Sequence, residues 1–258
     1  MAEIKIVSYN VNGVRAALRK GLTDWLKIIN ADVICLQEIK AAKEDFDTAA
    51  FAALGYESFL FPAQKKGYSG VAILTKIKPN HVEYGTQINE YDQEGRNIRI
   101  DIGDLSIMSA YFPSGTSGDE RQAIKMQYLG AMFDYLNQLR KKRPKLVICG
   151  DYNICHTEID IHDPVRNKNT TGFKPEERQW MTQYFEAGFV DSFRHIHPGK
   201  KDQYTWWSQF ANARANNKGW RIDYVAVTEN LKNAIVDAQI YPDARHSDHC
   251  PVYVKLKV

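Results

Sequence analysis

At 258 residues the chain is long for an average domain but within the range of one large β-rich or mixed domain. Hydrophobic residues make up 44% and charged residues 25%, which excludes a disordered chain and allows a sizeable core. A net charge of +3 excludes a uniformly basic nucleic-acid binder, so any DNA-facing charge has to be gathered on one surface. The four cysteines, Cys35, Cys149, Cys155 and Cys250, form no Cys-x-x-Cys pair and read as buried free thiols. The first ten residues carry no leader-like apolar stretch, and no segment approaches the ~18 apolar residues of a membrane span. The expectation is a cytoplasmic protein, nucleoid-associated in a bacterium or nuclear in a eukaryote, with no membrane contact.

No linker and no repeat interrupts the chain, so residues 1–258 are read as one domain. Ile4 to Asn10 is apolar on both faces, as a central strand of a covered sheet requires. Leu22, Trp25, Leu26 and Ile29 make the stripe of an amphipathic helix, and Val33 to Leu36 is a buried strand ending in Gln37-Glu38. Short strands are expected at 56–62, 70–75, 97–102 and 106–111. A long helix should start near Asp119, with Ile124, Tyr128, Ala131, Tyr135 and Leu139 facing inward. Its basic end, Arg140-Lys141-Lys142-Arg143, and the following Pro144 suit a helix C-terminus. Leu146 to Cys149 is another buried strand, Pro175-Glu176-Glu177 opens a helix that Gly188 closes, and late strands are expected at 204–207, 222–227 and 252–258. Runs of strands with few helices between them favour an α+β sandwich of two packed β-sheets with helices outside over a doubly wound parallel sheet.

Acidic and amide side chains recur where buried strands end: Asn10 and Asn12, Glu38, Asp151 and Asn153, Asp223, and Asp248-His249. Alone, each has an ordinary reading as a turn former, a cap or a solvated charge. Five such sites at five strand ends instead predict one polar cluster at a sandwich edge. Such a cluster suits metal-assisted displacement at phosphorus. Mg²⁺ takes oxygen ligands, often one or two carboxylates with several waters, and Glu38 with Asn10 can supply them, Mn²⁺ being a substitute. Asp151 suits a water-activating base, while Asn12, Asn153, Tyr111 and His249 are donors for developing phosphate charge. Asp223 is the expected partner fixing His249.

Ser8-Tyr9-Asn10-Val11-Asn12-Gly13-Val14-Arg15-Ala16, Leu36-Gln37-Glu38-Ile39-Lys40, Gly67–Ala72, Gly150-Asp151-Tyr152-Asn153, Gly172–Arg178, Gly219-Trp220-Arg221-Ile222-Asp223-Tyr224 and Ser247–Pro251 follow in order along the whole chain. This series resembles the motifs of the exonuclease III family of apurinic/apyrimidinic endonucleases, within the endonuclease/exonuclease/phosphatase superfamily. The resemblance implies a four-layer αββα sandwich and a DNA-repair phosphodiesterase. Such an enzyme cuts the backbone 5′ of abasic sites in double-stranded DNA and also trims or cleans blocked 3′ ends, acting as a monomer. It implies Glu38, Asn10 and Asp248 at the metal, Asp151 at the water, Asn153 and Tyr111 at the phosphate, and Asp223 paired with His249. It further implies an apolar pocket for the baseless sugar from Trp206, Trp220 and Ile222, which excludes a flipped nucleotide still carrying its base. Phe210 falls where a relative inserts an apolar side chain into the groove. Trp207 reads as core.

After Tyr111-Phe112-Pro113 the loop Ser114-Gly115-Thr116-Ser117 is short and lacks the arginine that some relatives insert into DNA. Lys65, Lys66, Arg96, Arg99, Arg214, Lys218 and Arg221 are the basic candidates for DNA contact. Two other functions fit parts of the pattern. A phospholipid phosphodiesterase shares the metal and Asp–His chemistry, but the Trp-Arg-Ile-Asp segment argues against it. A DNA-binding protein without catalysis conflicts with competent residues at every catalytic position.

Overall fold

A computed structural model describes residues 3–258. One six-stranded sheet runs in the order Ile235–Ile240, Val252–Lys257, Glu3–Asn10, Val33–Gln37, Val71–Thr75, Glu57–Phe61. The other runs His81–Tyr84, Asn97–Ile102, Leu105–Tyr111, Lys145–Asp151, Asp223–Thr228, Phe189–Asp191. Each sheet holds a single parallel pair, Glu3–Asn10 with Val33–Gln37 and Leu105–Tyr111 with Lys145–Asp151; every other pair is antiparallel. That pattern rules out the doubly wound alternative. A separate two-stranded ribbon pairs Trp206–Trp207 with Gly219–Trp220.

The strands are apolar on both faces because both faces are covered. Ile6, Cys35 and Ile73 point inward against Ile100, Val147, Cys149 and Val225 of the facing sheet. Their neighbours Val7, Ile34 and Leu74 point outward, to a core shared with Leu22 and Leu26 of the helix Leu22–Ile29. Across the molecule, Met108, Ile148 and Ala226 meet Leu129, Met132 and Leu136 of the long helix Asp119–Lys142 and Trp180, Met181 and Tyr184 of the helix Pro175–Glu186. Three apolar layers between four structural layers make the expected αββα sandwich. All four cysteines are free and buried. Among the described residues, no helix is long and apolar enough to cross a membrane.

The long helix differs from expectation in the face it buries. Gln122, Lys125, Tyr128, Leu129, Met132, Leu136 and Leu139 form the inner stripe, whereas Ile124, Ala131 and Tyr135 are only half-buried. An inward lysine is invisible to apolar periodicity; it is tolerated because Glu177 meets it at 2.6 Å. The strands His81–Tyr84, Phe189–Asp191 and Ile235–Ile240 carry no strand pattern in the sequence because they are sheet edges, mostly part-exposed or very short.

Behind the ribbon lies a buried ion cluster. The Asp160 carboxylate takes hydrogen bonds from Arg221 at 2.8 Å and Arg194 at 2.5 Å. Arg221 also approaches Asp191 at 2.8 Å, off hydrogen-bond angle and so as a charge contact. Burial alone pushes the Asp160 pKa up, but the two guanidiniums overcome it and hold the carboxyl far below the usual range. Asp160→Asn should therefore cost up to ~3–5 kcal/mol at pH 7, because it takes from buried Arg221 its hydrogen-bonded carboxylate and leaves only the charge contact with Asp191. The depressed pKa contributes stability above the unfolded value of ~3.9, and that stability fades as pH falls toward the folded value. Denaturant melts at pH 7 and pH 3 should thus show the gap between wild type and variant closing in acid.

Candidate active site

Register explains how distant residues meet. In the second sheet Tyr111 lies beside Asp151, and Asp151 beside Asp223, one row across three strands at their ends. In the first sheet Asn10 ends its strand beside Gln37, and Glu38 follows in a left-handed turn at φ 49°. The two sheet ends face each other. Asn10 bridges the sheets, its Nδ2 donating to Glu38 at 2.8 Å and to Asp151 at 2.9 Å. His249 arrives on the segment before the strand Val252–Lys257, and its Nδ1 lies 2.9 Å from Asp223. Its Nε2 is 3.9 Å from Asp151.

This crowding sets the protonation states. Burial first, and then the charge of Asp223, push the Asp151 pKa up to about 8, with Glu38 adding and His249 opposing. Burial disfavours a charged His249, yet Asp223 above all, with Asp151 and Asp248, raises its pKa to about 10. For Glu38, burial is outweighed by Lys40, whose ammonium lies 2.7 Å away, and by Asn10, so its pKa falls below the usual range. Tyr111 keeps its proton because burial and the charges of Glu38 and Asp151 all raise its pKa.

Glu38, Asp151 and His249 bring two carboxylate oxygens and a ring nitrogen within 4.8 Å of one another, and with His249 protonated the carboxylates are the metal donors. Two carboxylates sharing one amide donor are a charge density that a divalent cation would relieve, and the oxygen donors suit a hard one. The donor set therefore fits a metal. Two expected ligands stand differently. Asn10 turns its NH2 toward the carboxylates and spends its Oδ1 on the Asn12 N–H, because the opposite orientation would set oxygen against oxygen. Asp248 is outside the three-residue cluster. Its oxygens are taken up by Asn12 at 2.9 Å, the adjacent Ser247 hydroxyl and the Trp206 indole at 3.3 Å. Asn12, beyond the strand end in a left-handed turn at φ 44°, thus anchors Asp248 and Lys40. Asn153 likewise holds Asp151, giving it a backbone N–H at 2.8 Å while its amide binds the Phe112 carbonyl.

The cluster opens onto a cavity of about 320 Å³. Trp206, Trp220 and Ile222 form its apolar wall, as expected, with the two indoles edge to face at 6.0 Å. Phe210 stands out from the next loop, 81% exposed, and Trp207 is core at 3%. Ser114, Thr116 and Thr170–Gly172 complete the rim; spacing alone gave no sign of them, although Gly172 lies in a quoted motif. Lys40, beside Glu38, was legible only as the lysine two residues on.

Several proposed DNA contacts are corrected. Arg221, 1% exposed, is consumed by Asp160 and Asp191. Arg96 is buried against Glu94, the Tyr111 carbonyl and the Tyr111 ring. Arg99 pairs with Asp101, and Arg214 binds the carbonyls of Pro242, Ala244 and Ser247. A position near a site in the sequence does not show whether a guanidinium faces solvent or the core. Lys65, Lys66 and Lys218 remain exposed.

The endonuclease/exonuclease/phosphatase family model matches residues 7–249, and the chain belongs to that family. It is 43% identical over 256 residues to an exodeoxyribonuclease of Bacillus subtilis, covering 99% of this chain and 100% of the relative. An AP endonuclease structure from Archaeoglobus fulgidus superposes with a TM-score of 0.91 at 32% identity, over 99% of this chain and 100% of that one. A 3′ phosphatase from Neisseria, bound to a product DNA hairpin, superposes with a TM-score of 0.92 at 26% identity, again over 99% and 100%. These similarities put the chain in the exonuclease III and apurinic/apyrimidinic endonuclease branch, among hydrolases.

The Asp223–His249 pair yields a direct check. Because the His249 pKa is raised, its stabilising effect is complete below ~6.5 and is lost as pH rises through about 10. In Asp223→Asn the imidazole should titrate well below that value, followed by ring-proton NMR. A His249 titration that stays near 10 in the variant would remove Asp223 as the cause.

Proposed function

We propose that the protein hydrolyses the phosphodiester on the 5′ side of abasic sites in double-stranded DNA, with Mg²⁺ and as a monomer. Exonuclease and 3′-end-cleaning activities would run in the same site. The observation that carries this reading is the junction of two environments. A buried acidic cluster with an imidazolium opens directly onto an indole-walled cavity of about 320 Å³, at the small end of ligand pockets. A flipped-out sugar without a base suits that wall, with its phosphate against the charged floor.

Glu38, with Asp151 adjacent, would hold the cation, which when bound polarises a phosphate oxygen and offsets charge on it. Asn10 spaces the two carboxylates and keeps Asp151 aimed at the cavity floor. Asp151, deprotonated, takes a proton from water as the water oxygen bonds to phosphorus. The bond from phosphorus to the 3′ oxygen breaks, the departing oxygen takes a proton from solvent to become a 3′-hydroxyl, and the phosphate stays on the abasic residue's 5′ oxygen. His249, charged and fixed by Asp223, donates to the oxygens on which charge builds, and Tyr111 offers a second O–H. Asn12 and Asp248 support this edge as positioning groups. Phe210 would enter the groove beside the extruded sugar.

The test is a duplex with one abasic analogue, with Mg²⁺ or with chelator. Cutting at that position only with the metal is expected; cutting of phospholipid instead, or binding without cutting, sinks the reading. Asp151→Asn keeps the shape but cannot take the proton, and its rate should fall ~10²- to 10⁴-fold with DNA binding intact. A loss below about tenfold would assign the base elsewhere.

Selectivity is checked separately. Trp220→Ala opens the wall without touching the acidic floor, so the ratio of abasic to intact duplex cleavage should drop more than the rate itself. Truncating a large packed indole costs up to ~3–5 kcal/mol of stability, so melting comes first. Both rates are taken at one salt concentration, since salt shifts DNA binding.

A further inference from the structure

Behind the cavity rim lies a buried ion pair that the mechanism does not use. Lys125, on the long helix, and Glu177, on the helix Pro175–Glu186, are both fully buried and meet at 2.6 Å. Neither lines the cavity. Burial pulls the lysine pKa down, and Glu177 is the main force opposing it.

What the pair holds is unusual for a structural bridge. The Lys125 Nζ also donates to the Asn153 carbonyl at 2.9 Å, at a residue held in a left-handed turn beside Asp151. The Glu177 Oε2 accepts the backbone N–H groups of Gly172 at 2.6 Å and Lys174 at 2.9 Å, and its Oε1 accepts from Thr171. Gln122 joins them, donating to Glu177 at 3.1 Å and accepting from Thr171 at 2.8 Å. Two segments of the site edge, the Asn153 turn and Thr171–Lys174, therefore rest on one charged knot.

Two glycines show how closely. A Cβ on Gly172 would stand 2.9 Å from the Trp220 ring and 3.1 Å from the Asn153 carbonyl, so backbone packs directly on the indole wall. A Cβ on Gly115 would lie 2.0 Å from Gln122 and 2.4 Å from Thr171, so the Ser114–Thr116 rim rests on the same knot. A shift of the knot would move Trp220 and the facing rim together.

We propose that Lys125, Glu177 and Gln122 are positioning residues that set the width of the damage cavity, and through it the rejection of nucleotides that retain a base. This rests on the abasic-site reading above. The pair is suited to the task because a buried salt bridge is directional and stiff, whereas an apolar contact in its place could slide.

The experiment uses Lys125→Met/Glu177→Gln, which removes both charges together so that none is left buried and unpaired, and Gln122→Leu, which removes one hydrogen bond to Glu177 but leaves the ion pair in place. Each is assayed on matched abasic and intact duplexes with Mg²⁺, alongside melting. Both variants should melt as folded proteins, while the abasic-to-intact ratio of kcat/KM drops about tenfold or more, mostly through faster relative cutting of intact DNA. Equal losses on both duplexes, or an unchanged ratio in the folded variants, overturns the proposal. If the wild type itself fails to prefer the abasic duplex, the functional reading fails instead, and the two failures are distinct. Should the charge-free pair not fold, Gln122→Leu alone decides the matter by the same ratio.

Discussion

Asp151 and Asp223 stand opposite each other on neighbouring antiparallel strands, both essentially withdrawn from water, with Glu38 facing them from the other sheet. Like charges at such range in a low-dielectric edge are unfavourable, and most of the local structure answers that repulsion. Asn10 donates into it from one sheet, His249 enters as a cation from the last loop, and Lys40 balances Glu38 on the solvent side. The result is a site poised to accept positive charge and to take up or release a proton near neutrality.

The sandwich makes this possible because it is dry on both faces of each sheet. The central strands are buried along their length and mostly apolar, and the carboxylates and amides of the site lie where they end, so the strand ends collect the functional groups. The parallel pair within each sheet matters too: it brings Asn10 beside Gln37 and Tyr111 beside Asp151 at the same edge. Antiparallel neighbours then add Asp223 to the row. Close approach of the two sheets, through Ile6, Cys35, Val147 and Cys149, sets the distance that Asn10 spans.

Reactivity and selectivity have separate supports. The charged floor is tied to the sheets, while the indole wall is carried by the short ribbon and the loop around Gly172. Two buried ion networks, Asp160–Arg221–Arg194 and Lys125–Glu177, back that wall from outside the sheets. Walls on short elements need such anchors, since a two-residue strand pairing has little stability of its own.

The sequence by itself determined the layers and the cluster. Two-faced apolar strands demand covering on both sides, and Asn10, Glu38, Asp151, Asp223 and His249 each terminate or adjoin one, so their convergence followed from strand polarity. The motif series carried the indole wall of Trp206, Trp220 and Ile222 in the same way. Tertiary structure alone decided which polar groups are spent and which are free. Arg221 and Arg96 look available in the sequence but are consumed, the first by the buried Asp160 and the second by the half-buried Glu94, and Asn10 presents nitrogen where oxygen was expected. Lys125 looks like a solvated helix residue until Glu177, 52 positions away, neutralises it. Apolar burial is written into local periodicity, because each residue's preference is its own; the fate of a charge depends on its partner, and partners are chosen by the fold.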